Sequence, residues 1–138
     1  MNMKLLYLDV DGVLLGKAKP DDVRVALAKH AGEFIEYCLQ HYECYWLTTR
    51  CPDGDSTPVI DLLKMYVADK GVMKLIETIH ATSWRMVKIE AIDLESDFYW
   101  IEDRPTSYEI EQLERHNALH RLIPVSYTHL TLPTTPYV

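Results

Sequence analysis

Three short apolar runs place the strongest constraint on how this chain can fold. They are KLLYLDV (4–10), CYWLTT (44–49) and DFYWIED (97–103). Each is nearly continuous rather than alternating. A strand with one face in water alternates apolar and polar residues; a strand covered on both faces does not. Strands of the second kind belong to parallel sheets flanked by helices. LIETIHAT (75–82) and HRLIPV (120–125) are weaker candidates for the same role. Helical patterns lie between them. In HAGEFIEYCLQHY (30–42), Ala31, Phe34, Ile35, Cys38, Leu39 and Tyr42 share one face. Segment 57–79 offers Pro58 as a helix start, then Ile60, Leu63, Met65 and Val67 before Gly71. WRMVKIEAI (84–92) and PTSYEIEQLERHN (105–117) read as shorter helices, the second opened by a Thr106–Glu109 capping box. This alternation predicts an open α/β sheet with right-handed crossovers.

Segment 19–30 departs from the scheme. Val23, Val25 and Leu27 recur at period 2, with Gly16 and Pro20 supplying turn chemistry just before them. A short β-hairpin arm after the first strand is favoured over an early helix start.

At 138 residues the chain suits one domain with a real core. Its 14 basic and 21 acidic residues give a net charge of −7, which argues against nonspecific nucleic-acid binding. Cys38, Cys44 and Cys51 are odd in number and lack CxxC spacing. They favour neither a disulfide framework nor a zinc site, and a reducing cytoplasm is the expected compartment. No apolar stretch has the length of a membrane span, and no signal-peptide pattern precedes the first strand. Segment 126–138 changes character abruptly, becoming Thr- and Pro-rich and almost uncharged. It resembles a translated adapter sequence and is read as a non-native or disordered tail, with a genuine extended tail as the alternative. The domain is therefore assigned to residues 1–125.

The polar residues that end the apolar runs carry the functional signal. Asp9 and Asp11 are separated by one valine, and like charges that close raise each other's pKa. In open α/β sheets, ligands bind beyond the carboxyl ends of the strands. Asp9 and Asp11, Thr48 and Thr49, and Glu102 and Asp103 all fall at such ends. Alone, each has an ordinary reading: an Asx turn, strand threonines, a loop ion pair. Their joint occurrence at three strand ends argues for one convergent site.

YLDVDGVL (7–14) resembles the first motif of the haloacid dehalogenase-like (HAD) phosphohydrolases, an apolar strand followed by Asp-x-Asp-x-Val/Thr. YWLTT (45–49) is similar to the second, Lys88 to the third and YWIEDRP (99–105) to the fourth, in the same order from about residue 4 to residue 104. The resemblance implies a Rossmann-like three-layer sandwich with about five parallel strands in the order 5-4-1-2-3. It implies an Mg²⁺-dependent phosphomonoesterase acting through an aspartyl-phosphate. Asp9 would be the nucleophile and Asp11 the general acid and then base. Lys88 would offset phosphoryl charge, and Thr48, with Thr49 as the register alternative, would bind the phosphoryl group. The Mg²⁺ ligands would be the Asp9 carboxylate, the Asp11 carbonyl and Asp103, with Glu102 holding a metal-bound water or Lys88. Arg50 and Arg104 could each bind substrate phosphate or pair with Glu102. An acid two residues after the nucleophile implies phosphatase or phosphotransferase chemistry within the family. The gaps from Asp11 to Thr48 and from Thr49 to Lys88 leave no room for a cap domain. A capless site implies a macromolecular substrate, or a partner subunit, such as a second copy, serving as lid. The alternatives are a receiver-like phosphoacceptor or binding module and a catalytically dead scaffold of the same fold. A receiver places its acceptor Asp on the third strand, an order this chain does not follow.

The remaining conspicuous residues have plainer readings. His116 and His120 lie four apart, but a solvated helix end is favoured over a metal pair. Cys51 is read as a small core or loop thiol, and Trp46, Tyr99 and Trp100 as core.

Overall fold

The computed structural model describes residues 3–17, 19, 21 and 23–125. The tail reading for 126–138 and the turn role of Pro20 lie outside them. Four parallel strands form the main sheet: β1 (Lys4–Leu8), β4 (Tyr42–Trp46), β5 (Phe98–Ile101) and β6 (Leu122–Ile123), in the spatial order β4-β1-β5-β6. β1 is central. Leu8 pairs with Trp46 on one side and with Ile101 on the other.

The apolar runs are continuous because both faces of the sheet are covered. Leu6, Leu8, Tyr99 and Ile101 join one apolar cluster, together with Phe34, Ile35 and Cys38 of helix α1 (Ala31–His41). Val59 and Leu63 of α2 (Thr57–Lys64) and Ile76 of α3 (Lys70–Ile76) belong to it too. Tyr7, Phe98 and Trp100 point the other way. They meet Ile89, Ile92 and Leu113, the last from α4 (Ser107–Arg115). Period-2 alternation of side chains thus feeds two cores from one strand. Trp46, Tyr99 and Trp100 are buried, as read from the sequence.

The hairpin is present. β2 (Leu15–Gly16) pairs antiparallel with β3 (Ala26–Leu27) immediately after the first strand. The capping box at α4 also forms: the Thr106 amide donates to Glu109 Oε1 at 2.9 Å, and the Glu109 amide donates to Thr106 Oγ1 at 3.1 Å.

Three expectations need correction. The sheet has four strands rather than about five. Segment 75–82, the weak strand candidate, begins inside α3 and contributes only an isolated parallel bridge between Tyr45 and His80. Segment 57–79 is two helices, because the Asp69 side chain accepts from the Gly71 and Val72 amides at 2.8 and 3.1 Å and caps a new start. Met65, expected on the buried face, is 76% exposed. Segment 84–92 is not an α-helix. Only Lys88–Ala91 forms a 3₁₀ turn. The Glu90 carboxylate captures the Arg85, Met86 and Val87 amides at 3.0–3.2 Å, and Val87 stays extended. Side-chain capture of backbone donors here competes successfully with the helix.

Candidate active site

The backbone ladders that build the sheet continue for one residue beyond the strands, and this converges the site. The Asp9 amide donates to the Ile101 carbonyl at 3.2 Å, the Leu47 amide to the Leu8 carbonyl at 2.7 Å, and the Glu102 amide to the Ile123 carbonyl at 3.3 Å. Asp9 therefore sits beside Glu102, one strand away from Thr48.

Asp9 is buried, with only 4% of its surface exposed. Its Oδ1 accepts from the Val10 amide at 2.8 Å. Its Oδ2 lies 3.2 Å from Lys88 Nζ, which also donates to Glu102 Oε2 at 3.0 Å. One cation is thus shared between two buried carboxylates. Burial pushes the Asp9 carboxyl above its ordinary range, against the pull of Lys88. Burial first, and then the Asp9 charge, push Glu102 up to about 8. For Lys88, burial opposes the charge, but Asp9 and Glu102 outweigh it and the ammonium is held above its ordinary value. The Glu90 clasp on residues 85–87 fixes the segment that presents Lys88, and those same amides lower the Glu90 pKa.

Asp103 completes an all-oxygen cluster. One carboxylate oxygen from each of Asp9, Glu102 and Asp103 lies within 4.8 Å of the others. With Lys88 counted, the formal charge of this cluster is −2, from three acids and one base. Gly12 makes room for it. Its φ is +81°, and a Cβ there would overlap the Asp103 carboxylate, meeting Oδ1 at 2.7 Å. Close approach and a left-handed backbone both require glycine at this position. These hard carboxylate donors, brought together because Gly12 leaves room for Asp103, could hold a divalent cation such as Mg²⁺.

The Asp11 carboxylate lies outside that cluster. Arg50 holds it in a bidentate pair, with Nε to Oδ2 at 2.8 Å and Nη2 to Oδ1 at 2.7 Å. The hydrogen bonds to Asp11 raise the Arg50 pKa further. Of the pairings open to the two arginines, Arg50 takes Asp11 and Lys88 takes Glu102. Arg104 is exposed and, among the described residues, pairs with no carboxylate. Thr48 is fully buried and its Oγ1 accepts from the Arg50 amide at 3.2 Å, while Thr49 is exposed.

Thr49, Lys88 and Glu102 line an open cleft of about 250 Å³ beside the carboxylates. A larger concavity of about 820 Å³ lies elsewhere, at the amino ends of β1 and β4 around Lys4 and Tyr42, and contains none of these residues. His116 and His120 are both exposed, and the His116 ring is bonded to the Gln112 carbonyl at 2.9 Å. Cys51 is buried, and burial lifts its thiol to about 11, which leaves it inert.

The sequence reading missed three features. The Arg50–Asp11 pair joins residues 39 apart in sequence, and no local pattern announces it. The Gly12 cradle was visible as the glycine of DVDG, but the need for it depends on Asp103. Glu90 carried no signal beyond its place after Lys88. No protein-family model matches the chain, and no curated protein matches it. No helix among the described residues is long and apolar enough to cross a membrane.

Proposed function

We propose that the chain is a phosphomonoesterase of the HAD type that works through an aspartyl-phosphate on Asp9. One observation carries this reading. A buried carboxylate ends the central strand, with a lysine at 3.2 Å and two further acids clustered around it. Asp9, Glu102 and Asp103 would hold Mg²⁺, with the Asp11 carbonyl as a further ligand. When bound, the cation would neutralise the nucleophile and the phosphoryl oxygens.

The residues then divide the work. Asp9 attacks phosphorus, and the bond from phosphorus to the leaving oxygen breaks. Asp11 gives its proton to that oxygen, then takes one from the water that attacks the phosphorylated Asp9 and frees it. Lys88 balances charge on Asp9 and on the phosphoryl group. Thr48 already accepts a backbone hydrogen bond, so its remaining asset is a hydroxyl proton to donate to a phosphoryl oxygen. Arg50 must release Asp11 before Asp11 can accept a proton, and a phosphoryl dianion is the natural competitor for its guanidinium. The sheet supports the reading. If the lone bridge at His80 marks a reduced strand beyond β4, the five positions run 3-2-1-4-5 in chain order, the expected order from the other edge. The same layout supports the three-layer form without a cap.

The Arg50–Asp11 pair also favours a second reading. If Arg50 never releases Asp11, Asp9 can be phosphorylated but not turned over, and the chain is a phosphoacceptor. The experiment is hydrolysis of an aryl phosphate with Mg²⁺ by wild type and Asp9→Asn. Turnover in wild type, a phosphate mass adduct on Asp9 after acid quench, and neither in a folded Asp9→Asn variant are the expected results. A stable adduct without turnover selects the second reading. Substantial Mg²⁺-dependent activity in Asp9→Asn removes Asp9 from the role.

A further inference from the structure

The ion pairs around the first-strand acids differ in exposure. Lys88, Asp9 and Glu102 hold one another in the interior, whereas the Arg50 and Asp11 side chains are 44% and 46% exposed. An ion pair that open is worth little by itself, so it can part and re-form without disturbing the fold. Its place is nevertheless fixed at both ends. Asp11 lies two residues after Asp9, and the Arg50 amide is anchored to Thr48 Oγ1 at 3.2 Å. The Asp9 charge acts on the Arg50 guanidinium as well. Arg50 thus stands within electrostatic reach of both acids, while Asp11 alone occupies its Nε and Nη2.

An anion bound at Asp9 competes with Asp11 for that fork. Asp11 offers one negative charge, tethered in the same chain. A monoanion offers no more charge and has to arrive from solution, so it leaves the pair closed. A phosphoryl dianion offers twice the charge and, like a carboxylate, two oxygens spaced for two parallel N–H groups. We infer that the Arg50–Asp11 pair is an anion-operated clasp: it occupies Asp11 at rest, opens to a phosphoryl dianion, and makes Arg50 the residue that selects dianionic phosphomonoesters over monoanions such as phosphodiesters. The inference rests on the phosphohydrolase reading for the place of the phosphoryl group beside Asp9. The exchange has a signature of its own. Removing the Asp11 charge frees Arg50, so it strengthens dianion binding, and that part of the gain exists only while Arg50 is present.

The test uses the full chain with Mg²⁺ and two inert probes, methylphosphonate at a pH where it is a dianion and its monomethyl ester, a monoanion. Calorimetry reads Kd, and phenyl phosphate hydrolysis is followed separately. Arg50→Ala should weaken methylphosphonate binding about tenfold or more and leave the binding of the ester unchanged. Arg50→Lys, which keeps the charge without the fork, should fall between wild type and Arg50→Ala. Asp11→Asn should bind methylphosphonate severalfold more tightly than wild type does. Loss of the Asp11 charge eases the repulsion of any anion, so the same change is also made in Arg50→Ala, where the gain should be much smaller. An equal gain in both backgrounds overturns the clasp, as does equal methylphosphonate binding by wild type and Arg50→Ala, or failure of wild type to bind it. Hydrolysis without the coupling leaves the phosphatase standing and removes the clasp. The coupling without hydrolysis keeps the clasp and removes the phosphatase.

Discussion

Replacing Lys88 with methionine tests whether the buried charge cluster is arranged as the distances indicate. Methionine keeps the length and volume of the side chain and removes only the charge. Lys88 Nζ lies 3.2 Å from Asp9 and 3.0 Å from Glu102, and the three side chains are 14%, 6% and 5% exposed. At the effective dielectric that suits protein sites, each attraction is about 5 kcal/mol before desolvation. Most of that repays burial. Removing one partner nevertheless leaves two buried carboxylates facing each other, a loss of about 3–5 kcal/mol.

The loss must depend on pH. Burial and the Asp9 charge already hold Glu102 up at about 8, above its unfolded value of 4.5. A carboxyl raised in the folded state binds a proton that the unfolded chain has lost. Its contribution is therefore fully present below about pH 4.5 and is lost as pH rises through about 8. Without Lys88 the folded carboxyls rise further, so through Glu102 the variant's deficit should be small near pH 5, open as pH passes about 8 and be larger at about pH 9. Urea denaturation of both proteins in chelator at the first and last of these pH values measures it. A deficit independent of pH, or a variant more stable than wild type at about pH 9, would refute the shared-cation arrangement. Mg²⁺ should reduce the deficit, because a divalent cation replaces the missing charge.

Hydrolysis should require Mg²⁺ and be inhibited by Ca²⁺, whose looser coordination misplaces the in-line geometry; full activity in excess chelator would sink the site as drawn. Asp11→Asn should cost ~10²–10⁴-fold in turnover and accumulate aspartyl-phosphate on Asp9, detectable by mass after acid quench. Wild-type turnover in that variant would remove Asp11 as the proton shuttle. Gly12→Ala should lose ~1–3 kcal/mol from left-handed strain and crowding of Asp103, and should raise the Mg²⁺ concentration needed for half-maximal stabilisation. An unchanged Mg²⁺ titration in that variant would separate Asp103 from the metal.

What the sequence made legible follows its periodicities. β1 and β5 could be read because their apolar runs reflect burial on both faces, and β4, whose Glu43 is exposed, because the apolar run continues past its end through Leu47. The α4 capping box could be read because its two partners are three residues apart. The segment around Lys88 could not. Its apolar spacing fits a helix, and only the Glu90 carboxylate, folded back onto three amides, decides otherwise. Segment 75–82 was read as a weak strand, but α3 takes its first two residues and His80 alone bridges to Tyr45. Side-chain capture and tertiary competition act at distances that a window of residues does not contain.

The two acids of the first strand show how far that reasoning reaches. Adjacent charges in sequence suggested repulsion, relieved by a metal between them. The structure relieves it differently. Asp9 turns inward to Lys88 and the other acids, while Asp11, 46% exposed at its side chain, turns to Arg50. Asp11 is paired with Arg50, and Asp9 shares Lys88 with Glu102. The repulsion that a metal would relieve therefore lies between Asp9, Glu102 and Asp103, the first of them far in the chain from the other two. Under the proposed function the pair would divide the work: one carboxylate, held dry, would be the nucleophile, and the other, held at the surface, would exchange protons. A site that needs one carboxyl to attack and another to shuttle protons requires such unlike surroundings. Both lie past Leu8, the last residue of β1, where the chain leaves the strand; residues two apart, which a strand would hold on one face, can there turn opposite ways.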